Sequence, residues 1–283
     1  MLDCILDGVI DTLKLSPYLL VTFILLEFIE HKLSKKNQKI LSKNKKFGPI
    51  FGGILGAVPQ CGFSSMAANL FSSRVITIGT LVAVFLSTSD EMLPIMLGEH
   101  VDILVLLKIL GFKVLVGIIV GIIVDLVLKE KESKEHIHIE DICEKEHCHC
   151  SKKGIFVSSI IHTLKICLFI LTANLIINIV IFKVGEDNLS HLLLHKNIFV
   201  YFLASLIGLI PNCAASVIIT NLYVENVING ACLISGLLTG AGVGIMVLFR
   251  VNKDLKENLK IMGIVYGVGV IAGIVLQLLG NGF

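Results

Sequence analysis

The sequence is short of charged and aromatic residues. Only 16% of its 283 residues are Asp, Glu, Lys or Arg, it has four tyrosines, and it has no tryptophan. Soluble globular proteins contain about a quarter charged residues, so this composition would leave a soluble fold with apolar surface in water. Together with a mean hydropathy of +0.89, it predicts an integral membrane protein whose interfacial aromatic belts are thin.

Two further features are missing. No Gly-x-x-x-x-Gly-Lys-Ser/Thr phosphate loop occurs, so the chain is not predicted to be a nucleotide-driven motor. It is not expected to be an enzyme either. The N-terminus also lacks the positive start of a secretory signal peptide, because Asp3, Asp7 and Asp11 precede the first lysine, Lys14. Residues 16–29 are therefore predicted to form the centre of a first spanning helix.

Apolar segments fill most of the chain. The predicted fold is an all-α polytopic membrane protein, with residues 1–128 as a first membrane repeat, 129–154 as a polar loop and 155–283 as a second repeat. Most of the apolar segments are long enough to cross a hydrocarbon layer of about 30 Å as helices. They run over residues 9–33, 47–71, 74–97, 103–128, 155–183, 198–222, 227–249 and 258–280.

One polar motif occurs twice. Residues 56–64 read Gly-Ala-Val-Pro-Gln-Cys-Gly-Phe-Ser, and residues 208–216 read Gly-Leu-Ile-Pro-Asn-Cys-Ala-Ala-Ser, an offset of 152. The same offset relates Asn69 to Asn221 and Lys108 to Lys260. Two halves with a polar Pro-amide-Cys element at the same position are typical of secondary transporters, whose sites lie between repeats.

Basic residues are distributed unevenly between the loops. Residues 32–46 contain seven lysines and no acid, whereas the corresponding loop 184–197 has only Lys196. The next pair reverses this relation, since residues 98–102 lack Lys and Arg while 250–260 hold four basic residues. By the positive-inside rule, equivalent loops lie on opposite sides, the N-terminus is outside, and the two repeats are inverted.

Inverted repeats must each cross the membrane an odd number of times, although each contains four apolar segments. Either one piece is re-entrant or a segment divides into short spans, which would give ten spans in all. Pro59 interrupts a helix because it has no amide hydrogen, and polar breaks also occur at 87–91 and 239–242. Broken helices are expected only where protein or a water-filled site covers them. A simple kink is the alternative for a single proline.

Candidate metal ligands occur at and near these breaks. Carboxylate and amide oxygens suit hard cations and thiolates suit soft ions, so a mixed set tolerates Mn²⁺ while penalising Mg²⁺. Two alternatives stay open: segment 74–97 ends near residue 88, leaving its carboxylates among headgroups, or the cysteines are small buried hydrophobes. The predicted site consists of Gln60, Cys61, Ser64, Asn69, Asp90, Glu91, Asn212, Cys213, Ser216 and Asn221.

The middle loop is rich in histidine and cysteine. The charge pattern predicts that residues 129–154 are cytoplasmic, where thiols stay reduced, so metal binding is favoured over disulfides. The spacings match no standard zinc finger, which predicts a flexible chelating or sensing loop, with a solvated linker as the alternative. The potential ligands are His136, His138, Cys143, His147, Cys148, His149 and Cys150.

The twin Gly-x-x-Pro-Gln/Asn-Cys elements, the length and the His/Cys-rich loop resemble the ten-helix heavy-metal exporter family. That family is related to the arsenical permeases and is often described as manganese transporters. The resemblance implies an inner-membrane protein that exports metal or metalloid from the cytoplasm. The arsenical permeases proper carry a Pro-x-Cys-x-Cys type element, and a second cysteine is missing after Pro59 and Pro211. This difference favours a divalent cation.

The sequence therefore predicts a secondary transporter that exports a divalent transition metal, Mn²⁺ first, by alternating access at a midplane site between the repeats. Zn²⁺, Co²⁺ and arsenite are further candidate substrates, and no cofactor other than the transported ion is expected. The alternatives are an arsenite or organoarsenical permease using Cys61 and Cys213, and a membrane-embedded metal sensor without flux. The expected partners are the lipid bilayer and the metal ion, with no nucleic acid, and a homo-oligomer stays open.

Overall fold

The apolar segments form helices separated by short polar breaks. A computed structural model describes residues 47–58, 61–89, 92–128, 163–172 and 198–280, with isolated positions 13, 16, 17, 20, 21, 24, 160 and 175. Within these residues every regular element is helical, which confirms the all-α prediction. The helices are α1 (Gly48–Gly56), α2 (Cys61–Ser72), α3 (Ile78–Ser87), α4 (Met92–Gly98), α5 (Ile103–Val127), α6 (Thr163–Thr172), α7 (Phe199–Gly208), α8 (Cys213–Val224), α9 (Gly230–Thr239), α10 (Val243–Val251) and α11 (Leu255–Leu278).

Several helical stretches are long and apolar enough to cross a membrane. Two of them, α5 and α11, are continuous helices. The other two are each interrupted near the middle, between α3 and α4 and between α9 and α10, close to the polar breaks predicted at 87–91 and 239–242. Among the residues that the structure describes, the four stretches are Ile78–Gly98, Ile103–Val127, Gly230–Val251 and Leu255–Leu278.

Polar side chains fix where these helices begin, in the same way in both halves. The Thr77 hydroxyl accepts a hydrogen bond from a backbone amide in the first turn of α3, and Asn229 does the same for α9. Asp102 and Asp254 cap α5 and α11 through their carboxylates. Such caps satisfy amides that have no partner within the helix. Each pair of caps is related by the offset of 152 (77 to 229, 102 to 254).

Small residues allow α5 and α11 to approach the central helices closely. A Cβ atom added at Gly117 of α5 would lie 2.9 Å from the carbonyl oxygen of Ala83 in α3. At Gly269 of α11, it would lie 2.8 Å from the carbonyl oxygen of Ser235 in α9. Every residue of α3 and α9 is buried, whereas α5 and α11 also carry exposed leucines and isoleucines. The pattern matches membrane helices that pack through small residues and present apolar side chains to lipid.

The short helices pack across the two halves. Helix α2 packs against α10, α4 packs against α8, and α3 contacts α9 at the centre. At the end of the α2–α10 pair, Arg74 forms an ion pair with Glu257 (N–O distance 2.8 Å). The Asn252 side-chain amide donates to Glu257 and to Asn258, and the Ser72 hydroxyl donates to the Val251 carbonyl. We refer to Ser72, Arg74, Asn252, Glu257 and Asn258 as the polar clamp.

Candidate functional site

The break between α9 and α10 lies in the interior of the protein. Residues 240–242 are all buried, and Gly242 adopts φ 52° and ψ −138°, a conformation that side chains other than glycine rarely tolerate. The Ala241 amide donates to the Thr239 carbonyl, so part of the broken backbone remains satisfied. An interruption of this kind inside a membrane protein marks a position where a ligand or ion is commonly bound.

The first turns of α2 and α8 both reach this break. A Cβ atom added at Gly244 would lie 2.9 Å from the Ser64 hydroxyl oxygen, and one added at Gly240 would lie 3.2 Å from the Ser216 hydroxyl oxygen. Ser64 is fully buried and Ser216 is half-buried. The structure thus brings two predicted site residues, one from each half, to positions four residues apart along the same interrupted helix.

The second Pro-amide-Cys element forms the start of α8. Asn212 is 4% exposed, and its side-chain oxygen caps α8 by accepting from the Ala214 amide at 3.4 Å. Cys213 follows as the first residue of the helix and is also buried. Pro211 therefore precedes the start of a new helix, whereas a simple kink would leave one continuous helix.

Two predicted ligands in α2 and α8 have different environments. Asn69 is buried, and its side-chain amide donates to the Ser65 carbonyl at 3.0 Å. Its counterpart Asn221 is exposed on α8. Thr220, which the sequence did not single out, is fully buried and donates to the Ser216 carbonyl.

Several predicted ligands lie outside the described residues. They are Gln60, Asp90 and Glu91, the Cys61 side chain, and the loop residues His136, His138, Cys143, His147, Cys148, His149 and Cys150. Within the part of the chain that the structure describes, no three His, Cys, Asp or Glu side chains are grouped so that they could hold a metal ion.

A buried lysine that sequence reasoning missed joins the two halves. Lys113, on α5, is completely buried. Its ammonium donates to the carbonyl of Thr88 at the end of α3 and to the carbonyl of Leu237 in α9, the latter at 2.9 Å. A charged residue in a membrane interior is costly and is a functional candidate for that reason. The carbonyls of Thr88 and Leu237 belong to the backbone, so these two contacts leave no side-chain motif in the sequence.

Two equivalent polar side chains, one on each long helix, hold α5 and α11 to the central helices. Asp125 of α5 accepts hydrogen bonds from the Thr77 hydroxyl (2.7 Å) and the Gly79 amide (2.8 Å). At the equivalent positions, Gln277 of α11 accepts from Asn229 at 2.8 Å. The repeat offset would have revealed this correspondence, because 77 and 125 become 229 and 277.

The apolar spans and their buried interruptions place this chain in the class of polytopic membrane proteins. A family comparison narrows this class. The chain belongs to the family described as "Putative, 10TM heavy-metal exporter", which matches residues 1–188. The match covers the first half, the central loop and the beginning of the second half. Neither a curated protein nor a solved structure is detectably similar. The protein is therefore an integral membrane protein of a transporter family, with the lipid bilayer as its surroundings and a heavy metal as its class of substrate.

Proposed function

We propose that the protein exports a divalent transition metal ion from the cytoplasm, with Mn²⁺ preferred, by alternating access at a site between its two halves. The observation that carries this proposal is the approach of Ser64 and Ser216, from different halves, to one buried break. A polar junction at the boundary between two packed units can open toward either side when the units move relative to each other.

Contacts at the helix ends support an inverted arrangement of the halves. Asp125, near the C-terminal end of α5, binds Thr77, which directly precedes α3. Arg74, three residues earlier, binds Glu257 near the N-terminal end of α11. The C-terminal end of α5 and the N-terminal end of α11 are therefore on the same side. Equivalent helices that run in opposite directions are what inverted repeats require.

Packing of α1 supports a re-entrant hairpin. Gly48 at the start of α1 lies against Thr80, and Gly56 at its end lies against Ser87, so α1 runs beside α3 in the same direction. Residues 73–77 alone separate α2 from α3. Because the start of α1 and the end of α2 both adjoin the start of α3, we infer that α1 and α2 enter and leave on one side. The corresponding helices α7 and α8 would form the second hairpin.

The charge pattern gives the proposed orientation. The lysine-rich residues 32–46 lead directly into α1, and the basic residues 250–260 contain part of the polar clamp. Both stretches are assigned to the cytoplasm by the positive-inside rule. The clamp therefore closes the cytoplasmic side, and the site would exchange with the outside in this conformation.

The available ligands favour a divalent transition metal. Asn212 offers an amide oxygen and Cys213 a sulfur at the buried start of α8, a combination that suits Mn²⁺ better than Mg²⁺. Asp90 and Glu91 follow the buried Thr88 and would supply negative charge to offset the ion. Mn²⁺ would then be a substrate bound transiently by groups from both halves.

One observation favours the arsenical alternative. The ammonium of Lys113 adds a fixed positive charge beside the break, and this charge opposes a divalent cation unless carboxylates balance it. Uncharged arsenite would not be repelled, and it would bind thiols such as those of Cys61 and Cys213. The two candidate substrates therefore differ in their main ligands, which are carboxylates for a divalent cation and cysteine thiols for arsenite.

Flux in proteoliposomes with Mn²⁺, Zn²⁺, Co²⁺ and arsenite tests the proposal. Mn²⁺ export predicts that Asp90→Ala or Asn212→Ala removes most flux, whereas an arsenical permease should be disabled by Cys61→Ser and should tolerate Asp90→Ala. Cys167→Ser, which changes a half-buried cysteine of α6, is the matched cysteine control. Absence of flux for all four ions would contradict export, and a loss of all function on deleting residues 133–152 would then indicate a sensor.

A further inference from the structure

Lys113 connects equivalent parts of the two halves, namely the C-terminal ends of α3 and α9. Its counterpart at the offset of 152 is Val265 (113 to 265), which is also fully buried but has no polar atom in its side chain. The ammonium therefore breaks the symmetry of the repeat at the centre of the protein. It contacts one broken span from each half, through Thr88 and Leu237.

The two carbonyl groups that bind this ammonium lie at helix ends. Thr88 is the C-terminal cap of α3, and Leu237 lies in the last turn of α9, which ends at Thr239. Carbonyls in such positions lack helical hydrogen-bond partners and carry the negative end of the helix dipole. In transporters with broken helices, these groups commonly coordinate a driving cation such as Na⁺. The lysine ammonium thus occupies the kind of position that an alkali ion would fill.

The helices described around α5 contribute backbone carbonyls to this ammonium. The described helices that pack against or near α5, namely α1, α3, α4 and α9, contain no Asp, Glu, Lys, Arg or His. Asp90 and Glu91 follow shortly after Thr88 and lie outside the described residues. Carbonyl dipoles from both halves therefore contribute directly to holding the positive charge, as they would hold a bound ion.

We propose that Lys113 is a tethered cation that replaces a coupling alkali ion, so that transport by this protein requires neither Na⁺ nor K⁺. The residue determines ion specificity by filling the position at the ends of α3 and α9 permanently. The inference rests on the proposed transport function and specifies which ions do not drive it. It also explains why the lysine occurs in one half, since one ammonium reaches both broken spans.

The native protein provides the first test. Metal flux into proteoliposomes is measured with NaCl, KCl or choline chloride at equal ionic strength on both sides. The proposal predicts that the three rates agree within about twofold, because the ion position is already filled. A native protein that loses flux in choline and regains it with Na⁺ or K⁺ overturns the proposal.

Substitution of Lys113 provides the second test. In choline, Lys113→Ala should lower flux at least about tenfold, because buried carbonyls lose their partner. Na⁺, K⁺ or methylammonium should restore it at least about threefold by entering the vacated position. Lys113→Met should lose flux similarly without restoration, because its side chain fills the space. Lys108→Ala, an exposed lysine of the same helix, is the control and should keep native flux in all media. Full flux of Lys113→Ala in choline, or no response to any of the three cations, overturns the proposal.

Thermal unfolding in detergent separates this inference from the proposed function. Na⁺, K⁺ or methylammonium should raise the Tm of Lys113→Ala and leave the native Tm unchanged, whatever the substrate is. Native vesicles without metal flux would refute the proposed function, while the unfolding measurement would still decide the role of Lys113. Should Lys113→Ala fail to fold in every medium, the alkali dependence of the native protein decides the question.

Discussion

The pairs α2–α10 and α4–α8 are equivalent in sequence position but differ in how their ends are held. Arg74 and Glu257 form an ion pair at the end of α2–α10. Their counterparts beside α4–α8 are Asn226 and Val105, which cannot form one. The backbone is nevertheless conserved between the pairs, because Arg74 and Asn226 have almost the same positive φ, 59° and 60°.

This difference shows that the repeated backbone and its side chains contribute separately to the contacts between the two halves. The repeat supplies a common backbone, in which a short helix from each half packs on a broken span of the other half. The side chains then determine which pair is held more firmly. In the proposed orientation, the polar clamp keeps the cytoplasmic side closed, and the opposite side lacks an equivalent ion pair.

The largest effect is expected from a bulky residue in the α2–α10 pair. A Cβ atom at Gly244 would lie 2.7 Å from that of Ser64, so Gly244→Leu should separate α2 from α10. We expect the free energy of unfolding to fall by about 3 kcal/mol and flux to fall more than about tenfold. Chemical unfolding in micelles and vesicle flux measure these changes. Gly263→Leu, where nothing lies within 4 Å, is the control, and equal effects at both positions would contradict the packing.

A smaller effect should come from the contacts that tie the long helices to the centre. Asp125→Ala removes a carboxylate that accepts from Thr77 and Gly79, whereas Gln277→Ala removes the neutral counterpart. Hydrogen bonds to charged groups contribute more, so we expect losses of about 2 and about 1 kcal/mol in unfolding free energy. The same unfolding assay measures both, and a larger loss for Gln277→Ala would refute the assigned difference between the halves.

The polar clamp should influence how accessible the site is from the cytoplasmic side. Arg74→Gln removes the ion pair with Glu257 and should increase cytoplasmic-side maleimide labelling of Cys213 by about fivefold, equivalent to about 1 kcal/mol. The measurement requires a protein in which the other cysteines are replaced. Asn226→Gln, at the equivalent position, should change labelling less than about twofold. If both substitutions act alike, the clamp does not control access.

The smallest effect distinguishes two asparagines at equivalent positions. Asn69 is buried and bonded to the Ser65 carbonyl, and Asn221 is exposed. Asn69→Ala should lower the free energy of unfolding by about 1 kcal/mol, and Asn221→Ala by less than about 0.5 kcal/mol. Thermal unfolding of the two variants side by side measures the difference. Equal losses would show that Asn221 makes a structural contact of its own.

Much of the fold could be predicted because polar residues interrupt apolar runs visibly. The ends of α3 at Ser87 and α9 at Thr239 agree with the predicted breaks. The role of Lys113 could not be predicted, because its contacts with Thr88 and Leu237 are made to backbone carbonyls, which leave no side-chain pattern. The polar clamp could not be predicted either, because Arg74 and Glu257 are far apart in the sequence. They come into contact only because α2 packs on α10.

The central claim is that groups from both halves bind one metal ion at the buried breaks. A crystal or cryo-EM structure of the protein with Mn²⁺, supported by anomalous scattering at the manganese edge, tests it most directly. The account predicts a single manganese peak in the membrane region, contacted by the Gln60-Cys61 element and by the Asn212-Cys213 element together. A peak bound by one half alone, or one confined to residues 129–154, would contradict it.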